Sequence, residues 1–507
     1  MPYMKRNFVK YALVGTMLAG TFSCTKLDPN VYDQAAQFWQ TPEQIAAGIA
    51  PAYADLRGFP SGDIFSLQEV TSDEIIVPTR GSDWFDNGDW QQLWLHTWTI
   101  NHGMINGSWG YIYSGIARVN LILKTVSELN PQPADIASIN AELKTIRAFY
   151  YYLALDLFGK VPIVENYEAD LTTLANKSRE EVYAFVEKEL LDNVENLPSD
   201  VNRLTYGRMT KYFGYALLTK LYLNAQVYKG APEWAKCIAA ADKVLEGPYT
   251  LEANFFDNFK IANEFSKENI FAIPFDANKG LGGLNFQMRT LHYQSNETYN
   301  LAASPWNGFC STADFYNKFA TNDNRRNMFL VGQQYTKGGA PLQDKQVSLP
   351  LIFDPNVPVI QSDAATFRMA GARSVKYEPT PNTGGDMSND YAVFRLADVL
   401  LMKAEAQLRS GDAGGAVTTL NTAYNGISIR SRAGQPDFTS VTLDDILNER
   451  AREMAWEGWR RNDLIRFGKF NDARNPAKAV SPAFRQLFPI PKAQLDRNPN
   501  LTQNTGY

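Results

Sequence analysis

Apolar side chains recur every three or four residues along several stretches of this chain, and that period commits much of it to helices packed on one another. Leu143, Ile146, Tyr150, Leu153 and Leu157 form one stripe, on a helix expected to stop near Gly159 and Pro162. Phe213, Leu217, Leu221, Ala225 and Tyr228 form a second, ending before Gly230. A third, Phe394, Ala397, Leu401, Ala404 and Leu408, ends at Gly411 and is followed by Ala416, Leu420, Ala423 and Ile427. Small residues at Ala404, Ala406 and Ala416 allow close antiparallel contact, as in a tetratricopeptide unit. Residues 212–246 read as another such pair, with Trp234 to Leu245 as its second helix. The expected fold class is therefore mostly α: tetratricopeptide-like helix pairs carrying long irregular loops, with few short strands. Such a scaffold states no chemistry.

A chain of 507 residues, 45% hydrophobic and 20% charged, can bury a large core and does not have the composition of a disordered one. Its formal net charge of -5 argues against nucleic acid as a partner. Cys24, Cys237 and Cys310 make no disulfide framework, and with His96, His102 and His292 they match no common zinc spacing. No metal or cofactor is expected.

Lys5, Arg6 and Lys10 precede an apolar run, Tyr11 to Phe22, that leads to Ser23 and Cys24. A basic start and a short apolar run are the marks of a secretory signal, and the run is too short to span a bilayer. Its end at a cysteine resembles a bacterial lipoprotein signal. Cys24 would then be the first residue of the mature chain and carry acyl chains such as palmitate. Thr21 and Phe22 depart from the commonest lipobox, and secretion with a coincidental cysteine is the alternative. Residues 1–23 are thus read as signal and 24–507 as the body, with helix pairs in 24–260 and loop insertions plus the final helix pairs in 261–507.

Function is expected in the loops at 58–108 and 276–390, which are rich in Gly, Pro, Asn, Asp and aromatics. Trp84, Trp90, Trp94, Trp98 and Trp109 put half of the 10 tryptophans into one short stretch, among acids and amides. A sugar offers C–H faces that lie on aromatic rings and hydroxyls that seek carboxylate, amide or guanidinium. Trp94, Trp98 and Trp109 sit in apolar helical settings and are expected in the core. Trp84, among Gly, Ser, Asp and Asn, divides evenly between burial and ligand contact; Asp86 and Asn87 join it on local chemistry. Asp73 and Glu74 are read as a rim acceptor or a loop cap. Asp83, Asp86 and Asp89 hint at calcium but miss the EF-hand spacing. Trp306 repeats the aromatic-plus-amide theme beside Cys310, which is more often simply a small buried residue. Arg373 and Tyr391 flank a Gly/Pro/Asn loop as a hydroxyl-binding fork and a stacking ring, or as structural parts. No phosphate cradle and no nucleophile elbow is present, so no catalytic residue is assigned.

Five ordered motifs resemble the SusD/RagB family of outer-membrane glycan-binding lipoproteins. They are Thr71-Ser72-Asp73-Glu74 with Trp84; Arg147-Ala148-Phe149-Tyr150-Tyr151 with Gly159-Lys160-Val161-Pro162; and the helix running from Phe394-Arg395-Leu396-Ala397-Asp398 to Ala404-Glu405-Ala406. Then come Glu449-Arg450 through Glu457-Gly458 to Arg466-Phe467-Gly468, and the ending Pro489-Ile490-Pro491 with Asn498-Pro499 to Gly506-Tyr507. The resemblance implies a helical scaffold whose loops bind oligosaccharide, tethered to the outer membrane as a lid on a SusC-like, TonB-dependent transporter. By position it implies glycan contacts at Asp73, Trp84, Cys310, Arg373 and Tyr391. It also implies that the Glu/Arg-rich 445–468 stretch is structural, forming ion pairs and packing Trp456 and Trp459, with Arg460 and Arg461 not touching ligand. A helical glycoside hydrolase and a surface protein that captures peptide are the alternatives.

Overall fold

The structure is a computed structural model that describes residues 38–39, 41–130 and 132–507. The signal segment and Cys24 lie outside the described residues. The body is built from neighbouring helices in chain order: Gly103–Ser127 packs on Ile136–Leu157, which packs on Arg179–Asn193. Lys211–Leu223 packs on Trp234–Leu245, and Leu396–Arg409 packs on both Trp234–Leu245 and Ala413–Asn421. The stripe Leu143, Ile146, Tyr150, Leu153 and Leu157 is wholly buried, and Gly159, at φ +74°, ends that helix. Helix starts are marked by reciprocal side-chain caps, Thr41 with Gln44 and Ser178 with Glu181. At Gly115 a Cβ would stand 2.2 Å from the Tyr150 ring, so only glycine lets Gly103–Ser127 and Ile136–Leu157 approach this closely.

Three expected boundaries move. Phe394 is not helical; it lies in the strand Tyr391–Arg395, antiparallel to Asn269–Ile273, and the helix starts at Leu396. The next helix stops at Asn421, short of Ala423 and Ile427. There Asn425 and Gly426 both take positive φ, +55° and +79°, and turn the chain back so that Tyr424 bridges Ile427. The stripe from Phe213 to Tyr228 is split at Asn224 into Lys211–Leu223 and Ala225–Lys229. The 58–108 stretch is partly helical, at Gly58–Ser61, Asp63–Glu69 and Asp89–Leu95. Within 276–390 the strands are two-residue pairs, such as Phe329–Leu330 with Arg373–Ser374.

The Glu/Arg-rich stretch is two helices, Leu443–Glu453 and Arg460–Arg466, around a turn that holds Trp456 at φ +62° and Gly458 at φ +82°. Trp456 and Trp459 are buried beneath it. Its charges are interior. Arg395 meets Glu268 at 2.8 Å, Glu453 at 2.6 Å and Glu457 at 2.8 Å, and Arg325 meets Asp323, Glu449 and Glu453 each at 2.8 Å. Arg450 holds Asp398 and Asp463, each at 2.8 Å. Arg460 holds Asp73, and Arg461 holds Asp156 at 2.8 Å. Each cation is desolvated against two or more acceptors, which fixes the geometry more than it adds net stability. Among the described residues, Cys237 and Cys310 are buried and free, and no helix is long and apolar enough to cross a membrane.

Candidate functional site

The loops that carry the aromatic residues rest on buried arginines. Thr79–Arg80 runs parallel to Gln361–Ser362, and Arg80 turns inward. Its Nη1 donates to the carbonyls of Asn307 at 2.8 Å and Gly308 at 3.1 Å, and its Nη2 to that of Ala370 at 2.8 Å. Arg373, 0% exposed, donates to Asn307 Oδ1 at 2.8 Å and to the carbonyls of Ala370 and Gly371 at 2.7 and 2.6 Å. Asn307, at φ +54°, returns a bond from Nδ2 to the Arg368 carbonyl at 2.9 Å. These guanidiniums bind carbonyls that irregular backbone would otherwise leave unpaired, and they pin the 79–90, 304–309 and 368–373 segments together.

Three expected contact residues therefore need correcting. Arg373 spends its fork on this framework. Cys310, 0% exposed, exchanges backbone bonds with Ile76 at 2.8 and 3.0 Å, its thiol under Gly371. Tyr391, also 0% exposed, lies in the strand Tyr391–Arg395 with its ring 5.9 Å from Tyr377 and parallel to it. None of the three presents surface for a ligand to touch.

Above this base the loop from Gly81 to Gly88 is wound through positive φ at Gly81, Trp84, Asp86, Asn87 and Gly88. Asp and Asn tolerate that region and Gly favours it, so the composition that looked like a binding loop is also what permits the winding. The winding sets Trp84 half-buried, edge-on to Trp90 at 5.4 Å and Phe309 at 5.7 Å. Its Nε1 donates to the Trp306 carbonyl at 2.7 Å. Asp86 is exposed and accepts from Trp90 Nε1 at 2.6 Å; Asn87 is exposed and its carboxamide makes no hydrogen bond among the described residues. Trp306, 41% exposed, and Phe85, 46% exposed, lie on the two loops that the Trp84–Trp306 bond joins. Trp84, Asp86, Asn87 and Trp306 are thus brought together.

Tyr293 joins them, and the sequence reading missed it. Its hydroxyl donates to Asp83, and the Arg368 guanidinium lies 4.7 Å over its ring. Burial, and then the Asp83 carboxylate, push that hydroxyl up to about 12. Arg368 is itself paired with Asp344, which also contacts His292 Nε2 at 3.1 Å. The only sequence signal was a lone ring inside the long 276–390 stretch.

Asp73 sits elsewhere. It lines a separate cleft of about 370 Å³ with Trp94, Lys318, Arg460 and Arg474. Arg460 grips both its oxygens, at 2.7 and 3.0 Å, and Lys318 lies 3.6 Å away. Burial alone would raise this carboxyl, but Arg460 and then Lys318 outweigh it and hold it well below the usual range. Trp90, Trp94, Trp98 and Trp109 are buried, and so is Glu74. Among the described residues no three His, Cys, Asp or Glu side chains gather to hold a metal ion.

Residues 359–507 match the family described as "SusD family", and residues 32–223 match the one described as "Starch-binding associating with outer membrane". Over 99% of this chain and 100% of its own length, the starch-binding protein SusD of Bacteroides thetaiotaomicron is 26% identical. SusD-like protein P2 of Formosa agariphila is 24% identical over the same shares. Among solved structures, a laminarin-binding SusD-like protein superposes with a TM-score of 0.75 at 23% identity, covering 92% of this chain and 100% of that one. Surface glycan-binding protein A of Bacteroides thetaiotaomicron, in complex with laminarihexaose, superposes with a TM-score of 0.69 at 21% identity, covering 92% and 100%.

Proposed function

This chain belongs to the SusD family, and from that premise we propose that it captures oligosaccharide at the cell surface and hands it to a SusC-like, TonB-dependent outer-membrane transporter. A lipid tether at Cys24 would hold the body at the outer membrane, over the transporter.

One observation carries the reading. Trp84 and Trp306 come from segments far apart in sequence, yet a hydrogen bond ties them and buried Arg80 and Arg373 hold both in place. Rings set in advance need no ordering when ligand arrives, so their contact area goes into affinity. Asn87 and Asp86 stand beside them with free hydrogen-bonding capacity for sugar hydroxyls. The relatives whose names include starch or laminarin support the same ligand class.

The surface offers positioning and stacking, and the relatives that the chain resembles are named as binding proteins. We read the protein as a binder that leaves its glycan intact. Isothermal titration against soluble starch, laminarin, fructan and plant polysaccharides tests capture. A day-long incubation of purified protein with the bound glycan, assayed for new reducing ends, tests intactness. Co-purification of a barrel protein from detergent-extracted outer membrane tests the transporter, and its absence would contradict the lid role. Binding to peptide with none to any glycan would replace this reading.

A further inference from the structure

We propose that the protein has a second oligosaccharide-binding cleft, centred on Tyr299 and Asn327, that engages the same glycan chain as the Trp84–Trp306 surface; the proposal rests on the glycan reading above.

The cleft holds about 680 Å³, within the range of small-ligand sites. Tyr299 and Phe256, both half-buried, wall it, and Asn254, Asn324, Asn327 and Glu378 stand exposed at its rim. Its polar groups are open to a ligand. The Tyr299 hydroxyl and the Asn327 carboxamide make no hydrogen bond among the described residues. Asn324 uses only its Nδ2, toward the Arg432 carbonyl at 3.1 Å, which leaves its oxygen able to accept. Glu378 uses one oxygen, toward the Ile261 amide at 3.0 Å.

The charges argue for a neutral ligand. Two cations line the inner wall, Lys376 and Arg432, and both are neutralised from behind: Lys376 by Glu457, and Arg432 by Glu268 and Glu453. At the rim Lys260 is held by Asp257 at 2.5 Å. An anion would find no uncompensated cation there. A hydroxyl-rich molecule would find two aromatic walls and several free amide and hydroxyl groups, the same pairing of ring and amide that forms the first surface.

One stretch of chain serves both places. Tyr293 and Trp306 belong to the first surface, and Tyr299 lies between them in sequence. The six-residue step from Tyr293 to Tyr299 spans at most about 22 Å fully extended, so the two surfaces lie within reach of one polysaccharide strand. Simultaneous engagement raises avidity with no new contact at either place.

Titration of the full chain with laminarihexaose, and in parallel with maltoheptaose, tests the proposal, with melting temperature as the control for folding. The wild type should bind with a stoichiometry above one. Tyr299→Ala/Asn327→Ala should reduce it to one while keeping the Trp84-dependent event, and should weaken binding of the parent polysaccharide by about tenfold. Tyr299→Phe/Asn327→Ser, which keeps the aromatic ring but removes the phenol hydroxyl and the carboxamide, should move in the same direction if the first variant folds poorly. Wild-type stoichiometry in both variants overturns the second cleft and leaves the first surface standing. Unchanged binding in Trp84→Ala/Trp306→Ala overturns the first surface instead, and a wild type that binds neither oligosaccharide overturns both for these glycans.

Discussion

The indole N–H of Trp84 donates to the backbone carbonyl of Trp306 at 2.7 Å, so the orientation of the half-buried Trp84 ring depends on the backbone that carries the exposed Trp306. The loop bases that carry the two rings share Arg80, which donates to the carbonyls of Asn307 and Gly308.

Trp84→Phe should separate stacking from this tie. It keeps an aromatic face but loses the N–H, leaving the Trp306 carbonyl without its donor. Glycan affinity should fall by about three- to tenfold, against about 10- to 100-fold for Trp84→Ala, as read by titration calorimetry.

Gly308→Ala should damage the site from behind. An added Cβ would lie 2.3 Å from Trp84 Cε2, so the indole must shift. Overpacking of this kind costs about 1–3 kcal/mol, and the displaced ring should cost at least about tenfold in binding. Thermal denaturation together with titration measures both.

The contribution of Glu69 to stability should fall as pH rises from 5 to 8.5. Burial pushes the Glu69 carboxyl from 4.5 up to about 8 against the pull of Arg460, and burial followed by Glu69 itself raises Glu74. A folded-state value above the unfolded one means that the folded protein keeps a proton the unfolded chain releases above pH 4.5. The resulting stabilisation is full below pH 4.5 and is lost as pH passes through about 8. Glu69→Gln should flatten the melting temperature across that window; an unaltered slope would contradict the assignment.

Arg395→Met should be strongly destabilising. It strips Glu268, Glu453 and Glu457 of a shared buried partner, and an interior charge left without its partner costs about 3–5 kcal/mol. Chemical denaturation should show the loss directly. A variant as stable as the wild type would mean that the acids are neutralised some other way.

The helices were legible because periodicity reports burial directly, as the stripe from Leu143 to Leu157 does. Their ends were less so. Nothing in the spacing of Phe394 shows that it pairs with Asn269–Ile273, because strand pairing is set by a segment more than a hundred residues away. The loops followed the same logic. Trp84, Asp86, Asn87 and Trp306 were singled out because their residue types suit a surface loop, and the structure sets them on neighbouring loops. Cys310, Arg373 and Tyr391 were expected at the ligand by position in the family resemblance, which carries no information about depth, and all three are buried. Arginine in particular is polar in composition, yet here Arg80 and Arg373 are the interior scaffold. Tyr293 carried too little local signal and became visible only when the fold set it against Asp83 and Arg368.

Trp306→Ala tests the central claim most directly. Its side chain is 41% exposed, so removing it leaves the core, the Arg80 framework and the carbonyl that accepts from Trp84 in place. Titrated with a glycan the wild type binds, this variant should melt at the wild-type temperature and bind at least about tenfold more weakly. Wild-type affinity in a correctly folded Trp306→Ala protein would show that sugar does not lie on this aromatic surface.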